Sequence, residues 1–433
     1  MSLIIGLTGD VSGSSEYNMV YGVKHYYEQA SSALERTGNM SLHKSLPVQS
    51  KMRRCVLKPD GTVAYYLNAN DSTKKEDGTA ANLTGADGNV MVEIPEHYES
   101  FSDNTQNKYY QVNISLYPFP NCIHKEKRYV SAYLCTIDRT NNKAASVVNT
   151  TAQYRGGNNN SSYDGTYRSF LGLHASNINI SQCRTYAENI GSGWTCLDWD
   201  TYMVIYWLYV VEYANLNCQL NFNSTPTSEG YKQGGLGSGF TNIDWAKWTT
   251  YNGNSSILPC GYTNSLGNNS GTKTFSLSTE QANAYGASFT TYPNSYRGIE
   301  FPWGYWVWVD GFFGVGDGTN QKVYICRDKT KYSNTLNSGY ELKVTAPKFN
   351  WTYGKEIIRN DQGDLIYTNA TGASSVTYFC DCAQNNVENN TNYGLVVGGG
   401  SYGGSGAGFG CLNSRVSFGW VGAHGSFRVS YRK

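Results

Sequence analysis

The residues able to do chemistry fall into a few groups, each with a geometric demand. Gly404-Ser-Gly-Ala-Gly-Phe-Gly410 has the outline of a phosphate-cradling loop. Such a loop needs a strand before it and a helix N-terminus after it, so that backbone N–H groups converge on the anion. Here Cys411-Leu-Asn-Ser-Arg-Val-Ser-Phe418 follows and reads as a strand, without Gly-Lys-Ser/Thr, so nucleotide binding is not expected. Cys380 and Cys382 on one strand would point to opposite faces, because side chains alternate there. The six histidines (His25, His43, His97, His124, His174, His424) show no zinc spacing. Glu300, Asp310 and Asp317 lie near aromatics. Glycoside hydrolysis would need two carboxylates facing across roughly 5–10 Å, and turn or strand-end roles suit these three better. Trp303, Tyr305, Trp306, Trp308, Phe312 and Phe313 offer a sugar-stacking platform, but alternation sends some of them inward.

Composition narrows the classes. The chain has 433 residues, which suggests two to four domains at roughly 100–200 residues each. Charged residues make up 15%, and 34 basic against 33 acidic side chains leave a formal charge of +1. That balance supplies no footprint for nucleic acid or an anionic membrane. Aromatics reach 14%, with 36 Tyr, and Gly numbers 47. Tyr, Ser, Gly and Asn are the usual material of recognition loops, because Tyr gives large rigid contact area at low entropic cost. The eleven cysteines are odd in number and scattered, and they read mostly as small buried hydrophobes of a chain made in a reducing compartment. Met1–Gly9 lacks a basic n-region, so no signal peptide is expected. The apolar stretch Thr201 to Val211 falls short of the ~20 residues that span a membrane.

The elements that must position these groups are legible in part. Val63–Leu67, Val90–Ile94 and Tyr109–Tyr117 are short runs bounded by turn residues, which predict strands, with Tyr129–Ile137 a further one. Thr150–Asp164 is rich in Gly, Asn and Ser and is the best boundary, or a long surface loop. Asn179 with Gln182 three residues on marks a helix start over Ser181–Ile190. Asp198 or Asp200 then caps a helix running to about Asn215, apolar on nearly every face and so predicted to be buried. Long loops over 221–242 and 252–272 follow, with short aromatic strands beyond them.

Three segments resemble the formylglycine-generating-enzyme-like branch of C-type lectin folds. Asn189-Ile-Gly-Ser-Gly-Trp-Thr-Cys-Leu-Asp-Trp-Asp-Thr201 is similar to its Gly-x-x-Trp-x-Leu helix entry. Gly298-Ile-Glu-Phe-Pro-Trp-Gly-Tyr-Trp-Val-Trp-Val-Asp310 resembles its tryptophan strand, with Trp306 and Trp308 on the two tryptophan positions. Arg415-Val-Ser-Phe418 and Val421-Gly-Ala-His-Gly-Ser-Phe-Arg428 resemble its closing strands. Nearer the start, Tyr21-Gly-Val, Arg36-Thr-Gly-Asn39, Leu46-Pro-Val-Gln-Ser-Lys-Met52 and Leu83–Pro95 are similar to the N-terminal part of tail-type proteins from phages and prophages of gut bacteria. Val210-Val-Glu-Tyr-Ala-Asn-Leu-Asn-Cys-Gln219 fits the same group.

The resemblance implies an α+β chain: a β-rich attachment or assembly domain over 1–155, then a C-type-lectin-like domain over 156–433 with long loop insertions. It implies a non-enzymatic receptor-binding protein of a phage tail, recognising a bacterial surface protein or glycan. Other tail components would meet the N-terminal domain, and by analogy the assembly would be a homotrimer. A bacterial surface or secreted adhesin is the alternative, and a glycan-degrading tail enzyme a third reading. The binding face would lie in about 394–433. Its expected aromatic anchors are Tyr402, Phe409, Phe418 and Trp420, with polar contacts from Ser401, Ser405, Asn413 and His424. The Arg-Val-x-Phe pattern would alternatively place Phe418 in the core. Some members of this branch are rewritten by diversity-generating retroelements, which cannot turn Asn codons into Lys, Glu, Gln, Met or Trp. Residues 398–432 contain none of the first four and one Trp, although any Gly-rich loop has a similar composition. No cofactor is expected. Copper would require paired thiols, whereas Cys411 stands alone near the closing strands; the iron-binding His-x-x-x-His-x-Glu is missing. Tyr292-Pro-Asn294 lacks the carboxylate of a calcium-dependent sugar site.

Overall fold

A computed structural model describes residues 17–165, 167–244, 247, 257–385 and 388–433. The opening segment Met1–Gly9 and part of the loop over 252–272 lie outside the described residues. The fold is mixed α+β, strand-rich at its N-terminal side and mixed in strands and helices thereafter.

A five-stranded antiparallel sheet runs in the order Glu35–Gly38, Tyr21–Tyr26, Tyr109–Ser115, His97–Asn104, Ile123–Lys125. Its middle strand alternates over most of its length as the sequence predicts, with Tyr110, Val112 and Ile114 buried and Tyr109, Gln111 and Asn113 half-exposed, before ending on the buried Ser115. A second antiparallel sheet of six strands runs Trp194–Cys196, Val429–Tyr431, Arg128–Ser131, Asn89–Ile94, Arg53–Leu57, Val63–Tyr66. Every residue of Asn89–Ile94 is buried, as befits a strand covered on both faces. This sheet crosses the position near 155: Val429–Tyr431, almost at the end of the chain, pairs with Arg128–Ser131. The single strand expected over Tyr129–Ile137 is two, Arg128–Ser131 and Thr136–Asp138. Between them the backbone changes partner: the Ala132 N–H donates to the Val90 carbonyl, and that of Cys135 to Phe427.

The third sheet carries the C-terminal segment. Its order is Glu341–Pro347, Asn320–Ile325, Trp306–Gly316, Asn392–Gly398, Gly408–Val416, Cys382–Gln384, Thr352–Tyr353, and Gly425–Ser426 lies parallel to the start of Trp306–Gly316. The strand predicted after the glycine-rich run is present and begins inside it, at Gly408.

Both predicted helices form. Ile180–Glu188 opens with a capping box in which Asn179 and Gln182 exchange side-chain and backbone hydrogen bonds. Trp199–Tyr213 is capped by Asp198, whose carboxylate accepts the Thr201 N–H, and it ends at Ala214 in the left-handed region. All of its residues are buried, and it packs against Tyr21–Tyr26, Tyr109–Ser115 and Trp306–Gly316. Its polar edges find partners. Trp199 donates to Asp364 at 2.6 Å, Trp207 to the Gly363 carbonyl at 2.7 Å, and Tyr202 to the Phe409 carbonyl at 2.6 Å. Among the described residues no helix is long and apolar enough to cross a membrane. Ten of the eleven cysteines are buried, in keeping with their reading as small hydrophobes, and Cys122 is half-buried.

Asp200, in the first turn of this helix, is itself buried. Lys125 and Arg128 reach its two oxygens at 2.8 and 2.7 Å. Burial alone would raise the carboxyl's pKa, but the two cations outweigh it and hold the group well below the usual carboxylate range. A depressed folded pKa places the stabilisation above the unfolded value of about 4, and it is lost only as pH falls through the lower folded value. Asp200→Asn leaves two buried cations short of a charge and should cost about 3–5 kcal/mol at pH 7. Urea unfolding at neutral pH and below pH 4 should show the difference between variant and parent shrinking in acid. Truncating the buried Leu208, Val211 or Trp308 to Ala should cost about 2–5 kcal/mol at any pH in the same assay.

Candidate ligand-binding pocket on the C-terminal face

Asn392–Gly398 and Gly408–Val416 pair antiparallel, with Val396 opposite Asn413 and Gly394 opposite Val416. Several of the intervening glycines are closely packed. A Cβ on Gly400 would lie 2.9 Å from the Tyr402 ring and 3.1 Å from the Trp306 indole nitrogen. At Gly408, φ is +149°, and a Cβ would overlap the Asp381 carboxylate. That carboxylate accepts the Gly410 N–H at 2.6 Å, and burial pushes its pKa well above the usual range.

Beside these strands opens a pocket of about 680 Å³. Buried Trp306, Tyr393, Asn413 and Val416 form its floor. Aromatic rings stand around them. Trp351 meets Trp306 edge-on with centroids 6.0 Å apart, Tyr402 meets His424 at 5.4 Å, and Trp420 meets His424 at 5.8 Å. Gln384, Glu388, Thr391, Arg415 and Ser417 complete the lining. Burial pushes the His424 imidazole down to about 4, so it is neutral at pH 7. Its backbone carbonyl accepts the Trp306 N–H at 2.9 Å, which fixes the closing turn to the tryptophan strand. Asn413 Oδ1 accepts the Arg415 N–H at 3.1 Å. The Tyr393 hydroxyl is buried and has no hydrogen-bond partner among the described residues.

Of the eight residues expected on a binding face, the fold brings four to this pocket: Tyr402, Asn413, Trp420 and His424. Tyr402 is 45% exposed. Trp420 is half-buried and packs edge-on against Trp308 at 5.8 Å, so it belongs to both wall and scaffold. Phe409 corrects the expectation of an exposed anchor. It is 2% exposed, and its ring sits among Tyr209, Tyr296 and Trp303 at 5.2–5.6 Å. Strand alternation turns it inward, toward the buried helix. Ser401 is likewise fully buried, with its carbonyl accepting the Ile243 N–H at 2.7 Å. Ser405 is exposed outside the pocket lining and shares a hydrogen bond with the Tyr353 hydroxyl at 2.8 Å. Phe418 is half-buried against Phe313 at 5.2 Å, the packing role that its sequence pattern allowed. Trp351, Tyr393, Gln384 and Arg415 were not expected. An isolated Trp in the polar stretch Asn350-Trp351-Thr352 was the one available signal.

The other chemical candidates are held elsewhere. Asp310 takes a bidentate contact from Arg184 at 2.6 and 2.9 Å. Glu300 is fully buried, accepting from Thr263 and the Gly261 N–H. Asp317 accepts two N–H groups of its own turn. Trp303 and Tyr305 are fully buried, which removes them as a surface platform. Among the described residues no group of three or more His, Cys, Asp or Glu side chains could hold a metal ion. No protein-family model matches the chain, and no curated protein is similar to it.

The geometry separates two kinds of aromatic. Trp420→Ala should lower stability by about 2–4 kcal/mol, because it uncovers Trp308, whereas Tyr402→Ala should change it by no more than about 1 kcal/mol. Thermal unfolding of the two variants checks the distinction. Equal losses would place Tyr402 in the scaffold.

Proposed function

We propose that this chain is a non-enzymatic receptor-binding protein of a phage tail, with a C-type-lectin-like C-terminal region whose pocket engages a ligand on a bacterial surface. The observation that carries this reading is the convergence of Tyr402, Asn413, Trp420 and His424 on one aromatic-walled pocket. Concave sites lined by aromatics with a few placed polar groups are where small ligands and anchoring residues bind. The pocket rests on buried strands, so its rings are positioned before a ligand arrives and little ordering entropy opposes binding. The carboxylates Glu300, Asp310 and Asp317 are each occupied in structural hydrogen bonds, which favours recognition over glycan cleavage. The strand-rich N-terminal region is the side that would meet other tail components.

Fluorescently labelled protein should bind a subset of a panel of bacterial isolates. Tyr402→Ala should lose about 2 kcal/mol or more of affinity for those isolates while keeping its melting temperature within a few degrees. Binding to no isolate, or full retention of binding by Tyr402→Ala, would overturn the reading, and release of reducing ends from a bound isolate's polysaccharide would replace it with the enzymatic one.

A further inference from the structure

We infer that the ligand of this pocket is a glycan, held without a bound cation by ring stacking and neutral hydrogen bonds. The inference rests on the receptor-binding reading of the same face and names the class of molecule it takes. Sugar rings present C–H groups on their faces and hydroxyls at their edges. Aromatic faces carry negative quadrupole density that attracts polarised C–H groups, and amides pair with hydroxyls as both donor and acceptor. The pocket supplies both kinds of partner. Trp351 is 37% exposed and Tyr402 45%, so each leaves ring surface open to a ligand. The same pocket is lined by the amide residues Gln384 and Asn413 and the hydroxyl residues Thr391 and Ser417.

The same lining holds one carboxylate, Glu388, and one guanidinium, Arg415. One carboxylate offers a calcium ion little charge compensation, which favours recognition through the rings and amides. Nor does one charge of each sign form the basic cluster that selects a phosphorylated or acidic peptide. The volume of about 680 Å³ lies within the range of small-ligand sites and exceeds the space of one amino-acid side chain.

The test uses the full chain and isolates that bind it. Periodate oxidation of the cells, which cleaves vicinal diols, should abolish binding, protease treatment should leave it, and EDTA should not change it. Binding that survives periodate and falls with protease would overturn the glycan assignment in favour of a protein receptor, while leaving the receptor-binding reading intact. A loss with EDTA that calcium restores would overturn cation-free recognition. Trp351→Ala should weaken binding to untreated cells about tenfold or more, and unchanged binding by this variant would overturn ring stacking as the mode of recognition.

Discussion

The helix Trp199–Tyr213 has no face it can show to water. Tyr, Trp, Met, Val, Ile and Leu surround its whole circumference, and all of its residues are buried. A helix of this kind is stable only if other elements enclose it, because an exposed apolar stripe forfeits the burial that offsets the entropy of ordering it. The N-terminal five-stranded sheet packs on one side and the tryptophan strand Trp306–Gly316 on another. The shell thus draws on segments more than 180 residues apart in sequence, and the shared hydrophobic core includes residues from Tyr21 to Leu412.

Enclosure imposes a second condition, that the charges on the helix meet partners, although the buried Tyr209 hydroxyl has no hydrogen-bond partner among the described residues. Asp200 is answered by Lys125 and Arg128, and Glu212 by Arg297 at 2.6 Å and the Tyr296 hydroxyl at 3.1 Å. Asp364 accepts from both Trp199 and Arg327. Arg428, also buried, donates to the backbone carbonyls of Ser131, Ala132, Glu300 and Phe301, and so ties the last strand to the second sheet and to the tryptophan strand's approach. Such charges are costly to bury and more costly to leave alone, so they specify which segments may pack together.

A scaffold closed in this way can present an outer face with some independence. The strands beneath the pocket are buried along most of their length, while Tyr402, Trp351 and the Arg415 side reach outward. The separation is graded. Trp420, which lines the pocket, and its neighbour Phe418 cover Trp308 and Phe313, so changes there reach into the core. Glycines at 422 and 425 let the Trp420 ring lie directly on backbone, since a Cβ at either would stand 2.9 Å from it, and Gly400 does the same for Tyr402. Part of the glycine content of the C-terminal segment is therefore a packing requirement of the aromatic wall.

Local chemistry in the sequence determined much of this protein. The Asn179–Gln182 capping box, the Asp198 cap, the enclosed helix and the strands at Val63, Val90 and Tyr109 follow from caps, periodicity and turn residues that act within a few positions. The core placement of Leu208 and Val211 follows from the same patterns, whereas that of Trp306 and Trp308 was implied by the resemblance of their strand. Tertiary structure decided what depends on partners far away. The pairing of Val429–Tyr431 with Arg128–Ser131 leaves no local trace, so a sheet that passes over residue 155 was not legible. Phe409 and Tyr402 look alike in a glycine-rich run, and the strand Gly408–Val416 carries the first into the core while the second sits in the turn before it, at the pocket. Trp351 and Tyr393 join the site because segments remote in sequence bring the first against Trp306 and pair the second with Gly314. A side chain's type can be read from the chain alone, but the face it lies on is set by the pairing of strands, and a slip of one residue would exchange the two.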